Sequence, residues 1–137
     1  MILGIDYGDK RTGLALGDET TKIASPYEVL TETGEDLINA LADIVEIEEI
    51  SKVVVGIPLS ESGEETEQSK KVEVFVNDLK NRVEPPVVTV DEYLTTRYAE
   101  GVTKLSGGET DAVAAAAILD EYFSSGVGLD EDEEVFE

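Results

Sequence analysis

The six residues Lys52-Val53-Val54-Val55-Gly56-Ile57 constrain this chain most. They form a continuous apolar run bounded by Ser51 and Pro58. A run that short and without polar alternation is the pattern of a strand covered on both faces, as at the centre of a parallel sheet. A second run, Val87 to Val90, stops at Asp91-Glu92. Parallel neighbours need a crossover between them. Val72, Phe75, Val76 and Leu79 recur at helical spacing before Pro85-Pro86 and supply one. The pattern predicts an α/β domain with helices on both faces of the sheet.

The rest of the chain extends that plan. Met1 to Tyr7 and Thr12 to Leu16 are rich in strand formers, and the polar loop Gly8-Asp9-Lys10-Arg11 joins them as a hairpin. A third strand is predicted near Tyr27 to Leu30, after Pro26. From Glu35 to Glu49, Leu37, Ile38, Leu41, Ile44, Val45 and Ile47 recur as one apolar face of a helix that starts near Thr33 or Gly34. Ser60 to Glu67 is polar. Thr95 or Thr96 caps a short helix through Thr103, Ser106-Gly107-Gly108 breaks it, and Asp111 to Phe123 forms an Ala-rich last helix. The order βββ-α-β-α-β-α-α implies an antiparallel start followed by right-handed crossovers onto a parallel centre.

At 137 residues the chain fits one domain. It contains no cysteine and no histidine, which excludes disulfides, thiol or imidazole catalysis and ordinary zinc sites. The N-terminal MILGIDYGDKR is too short an apolar run for a signal segment, and no apolar stretch is long enough to span a bilayer. Both point to a cytoplasmic protein with no membrane partner. The formal net charge of −22 is unusual for a binder of nucleic acid, which ordinarily carries a basic patch. Six of the acids lie between Asp130 and Glu137. That C-terminal segment, with few apolar residues, is expected to be disordered, so the folded domain is read as residues 1–123 and the tail as 124–137. Removing everything after Ser125 is therefore expected to leave the thermal midpoint unchanged; a large drop would show that Val127, Leu129, Val135 or Phe136 packs.

Any chemistry must come from carboxylates, hydroxyls or lysine. In open α/β sheets the working crevice lies beyond the carboxyl ends of the parallel strands. Asp6 nears the end of the first strand, Asp91-Glu92 closes the fifth, and Asp111 enters from the start of the last helix. Asp6 is the most informative, because a carboxylate among Ile2, Leu3, Ile5 and Tyr7 costs several kcal/mol unless it is paired, hydrogen-bonded or bound to a cation. Converging carboxylates without nitrogen or sulfur ligands suit a hard cation such as Mg2+ or Mn2+. Each acid also has a plain structural role open to it: Asp111 complementing a helix dipole, Glu92 solvated in a loop, and Asp6 accepting from the turn.

The ordered blocks GIDYGDKRTGLAL, VVVGIPLSESG, the later Gln68, VDEYLTT and DAVAAAAILDEYF resemble the YqgF/RuvX family, over about residues 1 to 123. Members are ribonuclease H-like proteins described as pre-16S rRNA maturation nucleases or as Holliday junction resolvase-like. The resemblance implies a three-layer fold with a mixed five-stranded sheet: an antiparallel β1-β2-β3 meander and parallel β1-β4-β5. It implies catalytic and metal-binding roles for Asp6, Glu92 and Asp111, with Mg2+ or Mn2+ as cofactor. Gly8, Lys10, Arg11, Ser60, Thr95 and Thr96 match positions suited to substrate, although a solvated turn, an ordinary loop or a helix cap would account for them too. The implied activity is phosphodiester hydrolysis in 5'-end maturation of pre-16S rRNA, on RNA rather than DNA and in ribosomal precursor particles. A resolvase-like DNA nuclease and a non-catalytic interaction module are the alternatives.

Two departures stand out. Tyr93 occupies a place where the family usually has Arg, and the segment before Asp111 is shorter and keeps only Arg97 and Lys104. Asp6-x-Gly8 followed by Gly13 also resembles the phosphate loop of the actin and sugar-kinase superfamily. That fold clamps nucleotide between two such domains, and 137 residues supply one. The oligomeric state is left open by the sequence.

Overall fold

The computed structural model describes residues 1–58, 66–91 and 107–125. Five strands form one sheet in the order β3-β2-β1-β4-β5: β1 (Ile2–Asp6), β2 (Thr12–Asp18), β3 (Ile23–Leu30), β4 (Lys52–Ile57) and β5 (Val87–Asp91). β2 runs antiparallel to both β1 and β3, whereas β1, β4 and β5 are parallel. Three helices flank the sheet among the described residues: α1 (Gly34–Ile47), α2 (Glu67–Lys80) and α3 (Gly107–Ser125). This is the mixed five-stranded, three-layer arrangement expected above.

Strand alternation divides the core in two. Leu3, Ile5, Leu14, Val53 and Val55 face one way and pack with Leu37, Leu41, Val72 and Leu79 of α1 and α2. Ile2, Ala15, Val54 and Val90 face the other way and pack with Ala115, Ile118 and Leu119 of α3. The alanines and glycines on that second side let α3 lie close to the strands. A side chain at Gly4 would come within 2.6 Å of the Leu119 side chain and 3.0 Å of the Ala115 carbonyl. No helix of the described residues is long and apolar enough to cross a membrane.

Three expectations need correction. β3 begins at Ile23, not near Tyr27, and carries Pro26 inside it. As an edge strand it tolerates a residue without an N–H, and the register with β2 shifts between Leu14 and Ala15 beside that proline. Ile47 is 72% exposed and so lies off the buried face of α1. α3 starts at Gly107, so Gly107-Gly108 opens the helix where a break was expected; it then runs to Ser125. Glycine is least costly in a first turn, where backbone N–H groups have no helical acceptor anyway. The predicted short helix from Thr95 or Thr96 to Thr103, most of Ser60 to Glu67, and the acidic tail lie outside the described residues.

α1 ends in a two-bond cap. Ile50 N–H donates to the Val45 carbonyl at 2.9 Å and Glu49 N–H to the Glu46 carbonyl at 3.3 Å. The cap requires Glu49 at φ +53°, a conformation that costs a residue with a Cβ about 1–2 kcal/mol. Glu49→Gly is expected to raise stability by about 1 kcal/mol, seen as an upward shift of about 4 °C in the melting midpoint.

The edge strand is tied to the same helix end, where the Tyr27 hydroxyl donates to Glu48 Oε2 at 3.0 Å. That hydrogen bond, then burial and the nearby charges of Glu48 and Glu28, push the Tyr27 phenol above its usual 10.0. A raised phenol pKa means that the bond stabilises the fold below the unfolded-state value and is lost as pH rises through the folded value. In an absorbance titration one of the five tyrosines is expected to ionise late, and Tyr27→Phe to remove that late component.

Candidate active site

β1, β4 and β5 are parallel, so their carboxyl ends meet at one edge of the sheet. Ile57 pairs there with Asp91, the last residue of β5, and Asp6 is the last residue of β1. Asp6 shares its parity with Ile2 and Gly4, so its half-buried side chain belongs to the α3 side of the sheet. Directly across the hairpin, Asp6 pairs with Gly13. A Cβ at Gly13 would run into the backbone carbonyl of Asp111 and come within 2.9 Å of the Ala112 nitrogen. Gly13 is thus where the first turn of α3 touches the sheet, with its β1 partner Asp6 on one side and the backbone of Asp111 on the other.

Asp111 lies one turn into α3, a quarter exposed, and accepts a hydrogen bond from Arg11 Nε at 2.7 Å. Arg11 belongs to the β1–β2 turn. Gly8 shapes that turn, since any side chain on it would strike the Arg11 carbonyl. Lys10 and Asp9 are exposed, and Asp9 faces Lys71 of α2 at 3.5 Å. Tyr7 turns to the opposite side of the sheet and stacks on Phe75, with ring centroids 4.3 Å apart. α2 is fastened to the same edge through Thr66, whose hydroxyl donates to the Pro58 carbonyl at 3.1 Å and accepts from the Ser69 N–H.

Of the residues singled out in the sequence, Asp6, Gly8, Lys10, Arg11 and Asp111 gather at this edge. Glu92, Ser60, Thr95 and Thr96 lie outside the described residues. Among the described residues no group of three acids is close enough to hold a metal ion. The donors brought together are carboxylate oxygens, which fit a hard cation, and Glu92 would have to complete the set. Two hollows of about 710 and 480 Å³ lie elsewhere, one by Glu46, Glu49 and Glu84, the other by Leu37, Ile38 and Asp78. Neither is lined by Asp6 or Asp111.

The sequence did not reveal the role of Gly13 or the contact between Lys71 and Asp9. Gly13 could be seen as part of the first block, but its role depends on a helix about a hundred residues later. Lys71 looks like any solvated helix lysine.

Residues 1–125 match the family model described as RuvX: Holliday junction resolvase. The chain belongs to the RuvX family. Among relatives named "Putative pre-16S rRNA nuclease", the protein of Maridesulfovibrio salexigens is 36% identical over 131 residues, covering 90% of this chain and 97% of the relative. That of Rickettsia conorii is 34% identical over 132 residues, covering 90% and 86%. Solved structures extend the likeness at the level of fold. Thermus thermophilus RuvC in complex with Holliday junction substrate gives a TM-score of 0.60 at 16% identity, covering 93% of this chain and 95% of that one. The fowlpox virus resolvase bound to Holliday junction DNA gives 0.55 at 10% identity, covering 92% and 98%. The ribonuclease H-like plan and the RuvX membership inferred from the sequence blocks both hold.

Proposed function

We propose that this RuvX-family chain is a metal-dependent hydrolase of phosphodiester bonds acting in 5'-end maturation of pre-16S rRNA. The observation that supports the reading is that Asp6 pairs with Gly13 while the backbone of Asp111 lies against that same glycine, at the carboxyl edge of the parallel strands. Glu92 follows Asp91 in the sequence and is assigned to the site on the family motif. These three carboxylates would hold Mg2+ or Mn2+. When bound, such ions lower the pKa of an attacking water and stabilise the leaving oxygen.

The chain's own groups supply the rest. Asp6 and Asp111 offer hard oxygen donors and the negative charge that draws a cation to this edge. Lys10 and Arg11 present positive charge beside them on the turn that Gly8 allows, where a substrate phosphate can be gripped. Ser60, Thr95 and Thr96 are assigned to substrate contact on the family motif, with the folded domain taken as residues 1–123 and the acidic tail as 124–137. RNA is preferred over DNA because relatives 36% and 34% identical in sequence are named for pre-16S rRNA. Precursor ribosomal particles are the expected partners.

A substrate panel in Mn2+ or Mg2+ tests the assignment: precursor 16S ends, unrelated single-stranded RNA and four-way DNA junctions, assayed in parallel. Cleavage of the precursor in preference to the others is the expected result. Preference for junctions would transfer the reading to a resolvase-like DNA nuclease, and binding without cleavage of any of them to an interaction module.

A further inference from the structure

Asp111 is paired with the cation of Arg11. Its Nε donates to Asp111 Oδ2 at 2.7 Å, with the guanidinium half exposed and the carboxylate a quarter exposed. The two residues are a hundred positions apart, so the contact joins the β1–β2 turn to α3 at the point where Asp6 and Asp111 flank Gly13. Neighbouring carboxylates repel one another, and a positive charge at this place offsets the repulsion. The contact uses one of the five N–H donors of the guanidinium and one of the two carboxylate oxygens.

We propose that Arg11 is an electrostatic stand-in for the divalent cation at Asp111. It neutralises Asp111 while the site lacks metal, and it gives up Oδ2 when the metal enters, which makes its guanidinium available to a substrate phosphate. The inference rests on the metal-dependent reading above and deepens it. Two cations cannot share the same oxygen at close range without repelling each other, so Arg11 weakens the hold on metal until it moves. Its planar fork then suits a phosphate oxygen pair. The metal and substrate sites are coupled through one side chain, which opposes occupancy of the metal site in the absence of substrate.

The decisive measurement is Mn2+ affinity without nucleic acid, by calorimetry or by electron paramagnetic resonance of free Mn2+, at fixed ionic strength. Arg11→Gln is expected to bind Mn2+ about ten-fold more tightly than the parent, equivalent to about 1.4 kcal/mol. Arg11→Lys keeps the charge and is expected to stay close to the parent. Arg11→Met keeps the apolar stem and provides a second neutral variant should Arg11→Gln not fold. A plain orienting role, with Arg11 holding Asp111 in place as a ligand, has the opposite sign: the neutral variants would bind Mn2+ more weakly. Equal or weaker binding by the neutral variants overturns the proposal. Asp6→Asn separates the two levels of the argument. If it leaves Mn2+ binding intact, the metal site itself is misassigned and the stand-in role falls with it.

Discussion

Asp6→Asn is expected to lower cleavage by at least about 10²–10³-fold while leaving the fold in place, because it removes a ligand oxygen's charge with almost no change in volume. The same variant has a second readout in stability. Clustered carboxylates repel, and a bound cation relieves the repulsion and stabilises the folded state by mass action. Millimolar Mn2+ or Mg2+ should therefore raise the melting midpoint of the parent beyond what NaCl of matched ionic strength achieves by screening the net charge of −22. In Asp6→Asn the divalent-specific part should vanish and the NaCl response remain. Retention of both cleavage and the divalent response would remove Asp6 from the site.

Gly13→Ala is expected to have the largest structural effect of any single methyl group added near the site. The obstacle it meets is the backbone of α3 at Asp111 and Ala112, which cannot rotate aside as a side chain can. Relief requires α3 to lift from β2, at a cost of about 3 kcal/mol, the upper end for overpacking. For a domain of this size that is a fall of about 10 °C in the melting midpoint. Lifting the helix also draws Asp111 away from Asp6, so cleavage should fall even at temperatures where the variant is folded. Gly17→Ala is the control. Its new methyl would meet the ends of the Phe123 and Leu119 side chains at 3.0 and 3.1 Å, which can shift, and it lies at the far end of β2 from the carboxylates. A smaller loss of stability and normal cleavage are expected there.

The elements that position Asp6 were legible because they are coded locally. The hairpin, the β4 run and the β5 run each bury a face or both faces, and their periodicity survives whatever surrounds them. The pairing of Asp6 with Gly13 follows from the hairpin alone. What the sequence concealed depends on contacts between distant segments. Nothing near Gly107 says that a glycine pair will open α3 instead of ending a helix. Ile47 has the spacing of a buried residue, but α1 turns it outward near its last turn. The length of β3 was hidden because Ile23 to Pro26 has no strand-like alternation; an edge position tolerates it where a central one would not. The Arg11 contact with Asp111 was equally concealed. In sequence, one is a turn cation and the other a helix-start acid, and each has an ordinary local explanation.

Cleavage of a precursor 16S rRNA end by the parent, Asp6→Asn and Asp111→Asn, each in Mn2+ and in excess chelator, tests the central assignment most directly. The parent should cut only with the divalent ion, and each variant should lose at least about 10²-fold of that activity under the same conditions. Cutting in chelator at the rate seen with Mn2+, or equal cutting by either variant, would contradict the assignment of a metal-dependent site to Asp6 and Asp111.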